Sequence, residues 1–158
     1  MAGNAREGSA DLDAVFTDLV RVETRLYNAV GERLKAATGI GAGRFELLRY
    51  VRDHPDARVA DLASAFAIGV GATSKIVDRQ EKEGWMVRRP NPANRRSSLL
   101  ALTPAGEAVV SRAESVWRAA IQEVLGGAVA PDQLTALALI LGALRSDLER
   151  RGLGLPTG

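Results

Sequence analysis

The stretch SKIVDRQEKEGWMVRRPNPANRRSSLLALTPAG, residues 74–106, changes its periodicity twice. Up to Gly84 the apolar and polar side chains alternate at helical spacing. If Ile76 and Val77 face a core, Ser74, Lys75, Asp78, Arg79 and Lys82 are rotated outward. Beyond Gly84, WMVRR and SSLLALT carry the branched or aromatic side chains of strands, and PNPAN between them is turn chemistry, so a β-hairpin follows. Thr103 before Pro104 is an N-cap followed by proline at the first helical position. It opens a helix from about 104 to 126, which Gly126 and Gly127 close.

Working outward, RVADLASAFAI reads as a short helix with Leu62, Ala63 and Phe66 on one face, and GATSKIVDRQEKEGW as the next, with only a tight, glycine-containing turn between them. Two short helices so joined form the helix-turn-helix pattern, whose second helix can enter a DNA major groove. Earlier still, DLDAVFTDLVRVETRLYNAVGERLKAATG repeats apolar residues at threes and fours, a long first helix that stops near Thr38. Gly39, Gly41 and Gly43 interrupt any helical run before FELLRYVRDH begins a second helix, which Pro55 ends. At the far end Pro131 and Asp132 open a helix with Leu134, Leu137, Leu141, Leu144 and Leu148 in register. That helix is nearly apolar all round. A solitary domain has little to cover it with, so it is expected to pack, with the first helix, against a second copy of the chain.

A length of 158 residues suits one ordinary domain, and a composition 46% hydrophobic and 25% charged can bury a core. There is no cysteine, hence no disulfide frame, thiolate metal cluster or thiol redox switch. MAGNAREGSADLDAVF carries acids and lacks the apolar core of a secretory signal, and the longest apolar run, residues 134–144, falls short of the roughly 20 residues that span a bilayer. The expectation is a cytoplasmic protein without a membrane partner. High Ala, Gly and Arg usage points to a GC-rich bacterial genome.

Net charge is only +2, yet its distribution is uneven. Residues 70–100 hold seven basic groups against three acids, while the rest of the chain is slightly acidic. Other chemistries lack their parts. His54 is the only histidine, without the clustered ligands that a metal site wants. The glycines of TGIGAGRF lack the Lys-Ser/Thr ending of a phosphate loop, and no nucleophilic triad can be assembled. No metal, no cofactor and no enzymatic activity are expected.

The order helix, helix, helix-turn-helix, hairpin, long helix, helix resembles the MarR family of winged-helix transcriptional regulators over roughly residues 12–150. SKIVDRQEKEG is similar to the family's recognition-helix pattern of a basic residue, two aliphatics, Asp-Arg, a charged pair and a closing Gly. NPANRRSSLLALTPAG is similar to its wing signature, a pair of arginines before a strand ending in Leu-Thr. The resemblance implies a mainly α fold with a small β-hairpin wing (α+β). Residues 1–10 would be a flexible N-terminus, 11–38 and 104–151 dimerisation helices, and 40–103 the DNA-binding lobe of one intertwined domain. It further implies a homodimer whose recognition helices enter consecutive major grooves of double-stranded DNA while the wings reach flanking minor grooves or backbone.

Carried onto this chain, the recognition residues are Gly71, Ala72, Thr73, Ser74, Lys75 and Arg79, and the wing residues Asn94, Arg95, Arg96 and Ser97. Ser74 and Lys75 are best placed for base edges, Arg79 and Lys82 for phosphate, and Arg95 and Arg96 for a narrow minor groove. The chain departs from the family in three places. Gly71 and Ala72 stand where serine or threonine is usual. Asn91 and Asn94 replace wing aspartates, exchanging a salt bridge for a neutral hydrogen bond and predicting a looser wing. Thr73 and Gln80 fall on the inner face; threonine can bond back to its own helix, whereas glutamine needs a neighbour.

Family members commonly bind a small aromatic or phenolic acid between the dimer helices and the DNA-binding lobe, for which Arg25, Tyr27, Arg49 and Trp117 are the candidates. The expected function is therefore a sequence-specific, ligand-responsive repressor acting as a homodimer on a pseudo-palindromic operator. The alternative is a small-molecule-binding dimer on the same scaffold with weak or lost DNA binding.

Overall fold

Gly39, in the left-handed region at φ 75°, ends the first helix by donating its N–H to the Lys35 carbonyl. The computed structural model describes residues 11–156, so the expectation for residues 1–10 lies outside it. Among the described residues the order is α1 (Leu12–Thr38), α2 (Ala42–Asp53), α3 (Val59–Ala65), α4 (Val70–Lys82), β1 (Met86–Pro90), β2 (Ser98–Leu102), α5 (Pro104–Leu125) and α6 (Pro131–Arg150). The fold is mainly helical with one two-stranded antiparallel hairpin, as the sequence predicts.

Two local readings need correction. α2 starts at Ala42, three residues before the expected Phe45: Gly41 is its extended N-cap and Gly43 lies inside the first turn. Burial of Ala42 holds that turn despite the low helix propensity of glycine. In the turn between α3 and α4 the left-handed residue is Ala67, at φ 50°, while Gly69 keeps a negative φ as the N-cap of α4. The glycine visible in the sequence is not the residue that makes the bend.

The core gathers one or more side chains from every element except α6: Leu34, Phe45, Leu48, Leu62, Val77, Met86, Leu100 and Val110 are all buried. Each such aliphatic or aromatic side chain contributes about 1.5–3 kcal/mol by leaving water. The Phe45 and Trp117 rings meet at 5.2 Å and join α2 to α5. Polar contacts fix the same packing. Arg52 holds Glu114 through both oxygens, at 3.0 and 3.1 Å, and Arg118 reaches the same carboxylate at 3.0 Å. Arg33 holds Glu123 at 2.6 and 3.0 Å, tying α1 to α5.

The hairpin pairs Met86 with Leu102, Arg88 with Leu100 and Pro90 with Ser98. It is anchored at its middle pair, where the Leu100 N–H donates to the Ala57 carbonyl at 2.7 Å. Thr103 performs two tasks: its hydroxyl oxygen accepts from the Gly106 N–H and the hydroxyl donates to the Gly84 carbonyl at 2.6 Å. Gly84, at φ 74°, closes the end of α4 in turn.

Two apolar stretches are left exposed. No residue of α6 is buried, with Leu139 72% and Ile140 57% exposed, and the N-terminal half of α1 exposes Leu12, Val15, Phe16 and Leu19.

Candidate nucleic-acid interface

α4 sits on the core by Thr73, Val77 and Gln80, all three buried. That face takes Thr73 out of the recognition residues carried over from the family and agrees with the inner position that helical rotation gives it. It is 0% exposed, and its hydroxyl donates to the Gly69 carbonyl at 3.1 Å, bracing the helix start from within. Gln80 has only a marginal neighbour: its Nε2 is 3.5 Å from the Ile76 carbonyl, and its buried Oε1 accepts from nothing.

The opposite face exposes Gly71, Ala72, Lys75, Asp78, Arg79 and Lys82. Ser74 departs from expectation. It is half-buried toward β1, where an Arg88 guanidinium nitrogen lies 3.4 Å from its hydroxyl oxygen. Arg88 also pairs with Asp78 at 2.8 Å and with Glu81, and its own backbone N–H donates to Glu81 at 2.9 Å. This arginine was not singled out from sequence, because its three partners lie seven to fourteen residues back on another element. Among the described residues, the ion pairs of α3, α4 and the hairpin are Arg44–Glu83, Arg58–Asp61, Arg88–Asp78 and Arg88–Glu81. Lys75, Arg79, Lys82, Arg89, Arg95 and Arg96 enter none of them. The result is a positive ridge along α4 that continues onto the wing.

The wing tip is closed by its two asparagines. Asn91 Oδ1 accepts from the Ala93 N–H at 3.0 Å, while its Nδ2 donates to Ser97 Oγ at 2.8 Å. Asn94 Oδ1 accepts from the Arg96 N–H at 3.0 Å, and the Ser97 hydroxyl returns to the Asn94 carbonyl at 3.2 Å. These are side-chain turns of the kind asparagine and serine favour. The neutral hydrogen bonds expected in place of aspartate salt bridges are present, made within the turn itself. Asn94 and Ser97 spend their polar atoms on the turn, and it is Arg95 and Arg96, both exposed, that the turn presents.

Behind the ridge lies a cleft of about 560 Å³ between α1, α2, the α3–α4 turn and α4, walled by Leu47, Phe66 and Ile76. Lys75 and Arg79 line it too, so the same two side chains border the outer face and the cleft. At its rim Tyr27 donates to the Glu46 carboxylate at 2.9 Å. Burial first, then that hydrogen bond and the negative charge, raise the Tyr27 pKa well above the ordinary phenol value, so it stays a donor. Arg44 lies over the Trp85 ring at 4.8 Å and pairs with Glu83. Its Nε is buried without a partner, as is Gln80 Oε1, and both residues line the cleft.

The four residues proposed from sequence for a ligand do not converge. Tyr27 lines this cleft. Arg49 borders a neighbouring one of about 400 Å³ and lies over the Phe45 and Trp117 rings, at 5.1 and 5.7 Å. Trp117 is 8% exposed and belongs to the core, and Arg25 is exposed on α1 and lines neither cleft. α2 and α5 turn Trp117 inward against Phe45.

Comparison with known proteins places these observations among relatives. The MarR family model matches residues 40–98, from the link before α2 to the start of β2. The multiple antibiotic resistance protein MarR of Escherichia coli is 26% identical over 102 residues, which cover 65% of this chain and 71% of that protein. A transcriptional repressor of the helix-turn-helix type from Mycobacterium tuberculosis is 32% identical over 95 residues, 60% of this chain and 68% of that one. A MarR family transcriptional regulator from Streptomyces coelicolor, solved in complex with DNA, superimposes with a TM-score of 0.81 at 24% identity, covering 98% of both chains. That last likeness shows a shared fold over the whole length.

Proposed function

This chain belongs to the MarR family of winged helix-turn-helix transcriptional regulators, and from that premise we propose that it is a ligand-responsive repressor acting as a homodimer on a pseudo-palindromic operator. The observation that carries the reading is the unpaired ridge formed by Lys75, Arg79 and Lys82 on α4 with Arg95 and Arg96 on the wing. Two positive elements, one helical and one a tight hairpin held beside it by Arg88, fit a major groove and the adjacent minor groove or backbone. Lys75 is the base-reading candidate. Arg79, Lys82 and the wing arginines meet phosphate or groove walls, and the backbone at Gly71 and Ala72 lies open to the groove. The relative from Streptomyces coelicolor, solved with DNA, supports the partner. Such a protein works in the cytoplasm, and no single helix among the described residues is long and apolar enough to cross a membrane.

The exposed leucines of α6 and the apolar start of α1 supply the dimer interface, so residues 11–38 and 104–151 form the dimerisation lobe and 40–103 the DNA-binding lobe. A two-fold dimer sets half-sites about 10 base pairs apart, where occupancy obstructs polymerase. Light scattering at micromolar concentration tests the assembly; a monomer refutes it. For the effector, the cleft beside Tyr27 is the site. Its apolar walls suit an aromatic ring, Arg44 and Arg79 suit an acid or phenol, and the ligand acts on DNA affinity because Lys75 and Arg79 wall the cleft as well as facing outward.

The deciding experiment is selection of duplexes from a random pool, then titration of the winner at two salt concentrations. An inverted repeat should emerge, and an Arg95→Ala, Arg96→Ala variant should bind more weakly with a salt slope shallower by about one per lost phosphate contact. If no duplex is enriched even at low salt, the repressor reading fails and a ligand-binding dimer without DNA affinity replaces it.

A further inference from the structure

The first turn of α4 reads Val70-Gly71-Ala72, and two of its features have no use inside the chain. Val70 is 57% exposed at the first helical position, with its branched side chain outside the core. Gly71 has a negative φ, and a Cβ built on it meets nothing within 4 Å. Neither backbone conformation nor packing requires a glycine there. Glycine is less favourable than alanine in a helix, so the missing methyl at the second helical position is a cost without an internal return. What it does provide is clearance for a surface that approaches from outside.

The rest of that turn narrows what the surface is. Ala72 offers no hydrogen-bonding side chain, Thr73 is buried, and the Ser74 oxygen is turned toward Arg88. Up to Lys75, therefore, the side chains of the outward helix start are apolar or absent. In a major groove the apolar feature of a base edge is the 5-methyl group of thymine. A branched aliphatic side chain tilted toward the helix N-terminus, beside a position with no side chain, is shaped for that methyl.

We propose that the Val70–Gly71 step reads a thymine 5-methyl group in each half-site, the valine making the contact and the glycine letting the backbone close enough for it. The proposal rests on the repressor reading and adds a specificity determinant that no polar contact supplies. Lys75, one turn beyond Gly71 on the exposed face, supplies the hydrogen-bond donor for a neighbouring base.

The test uses the full chain and the duplex it selects. Each thymine of the half-site is replaced in turn, in both halves, by deoxyuridine, which removes only the methyl group. One such position should weaken wild-type binding about fourfold per half-site, or about fifteenfold over both, the worth of one buried methyl-sized group. Val70→Ala should bind the thymine and deoxyuridine duplexes alike. Gly71→Ala should melt no lower than the wild type yet bind the selected duplex at least about tenfold more weakly. The proposal is overturned if the wild type binds a selected duplex but is indifferent to deoxyuridine everywhere, or if Val70→Ala keeps the full discrimination. Wild-type affinity in Gly71→Ala removes the clearance argument. Failure to select any duplex is a different result, because it overturns the repressor reading and this inference with it.

Discussion

The guanidinium of Arg88 on β1 lies 2.8 Å from the carboxylate of Asp78 on α4, and the same side chain pairs with Glu81 one turn along. Recognition helix and wing are thus cross-linked through one arginine whose three partners fix both its position and its rotation. Removing it should cost more in binding than in folding. The group is partly exposed, so its pairs are screened, and Arg88→Ala is expected to lose about 1 kcal/mol in urea unfolding. DNA affinity should fall for all sequences alike, since it is the angle between two elements that loosens. A variant that unfolds normally and binds its duplex like the wild type refutes the cross-link.

Gln80 invites the opposite outcome. Its amide is buried with Oε1 unpaired, on a helix face otherwise given to Val77 and the methyl of Thr73. Replacing it by leucine removes the orphaned acceptor and should stabilise the fold by about 1–3 kcal/mol. For a domain of this size that raises the melting temperature by roughly 2–4 °C per kcal/mol. Calorimetry on Gln80→Leu reads this directly, and a lower melting temperature would mean that the amide has a partner in solution.

At the base of the hairpin, a Cβ on Gly106 would overlap the backbone carbonyl of Trp85. Because backbone rather than a flexible side chain must give way, Gly106→Ala should destabilise by about 3 kcal/mol, the upper end of overpacking. Thr103→Ala, which loses the cap to Gly106 and the bond to Gly84, should cost about 1 kcal/mol and at most about 2. Chemical denaturation of the two variants should rank them in that order.

Acid sensitivity follows from Glu114. The hydrogen bonds from Arg52, then the charges of Arg52 and Arg118, hold its pKa at about 2 against an ordinary value of 4.5. As pH falls below 4.5 the unfolded chain takes up this proton first, so the stabilisation is complete above 4.5 and lost progressively toward pH 2. Glu114→Gln should therefore be less stable at neutral pH and show a flatter decline across that window. Parallel acid melts that keep the wild-type slope would assign the acid loss to other carboxylates.

All six helices and both strands are legible because each signal is local: apolar residues at threes and fours, branched or aromatic runs on either side of PNPAN, Thr103-Pro104, the glycine after α1. The buried positions of Thr73 and Gln80 follow from the same rotation of α4. What stayed hidden was set by contacts across the chain. The early start of α2 depends on burial of Ala42, and the partners of Arg88 lie on a different element. The cleft is assembled from α1, α2, the α3–α4 turn and α4, so no stretch of sequence contains it, and of the four candidates that the family resemblance suggests only Tyr27 reaches it.

The asparagines at the wing tip carry one more consequence. Asn91 and Asn94 hold the turn through amide groups that neither ionise nor attract counterions. Salt then leaves the shape of the tip alone and acts on the contacts that Arg95 and Arg96 make. A plot of affinity against ionic strength for this protein becomes a count of cation–phosphate contacts along α4 and the wing, free of the second process, a melting wing, that aspartate salt bridges would have mixed into the same slope.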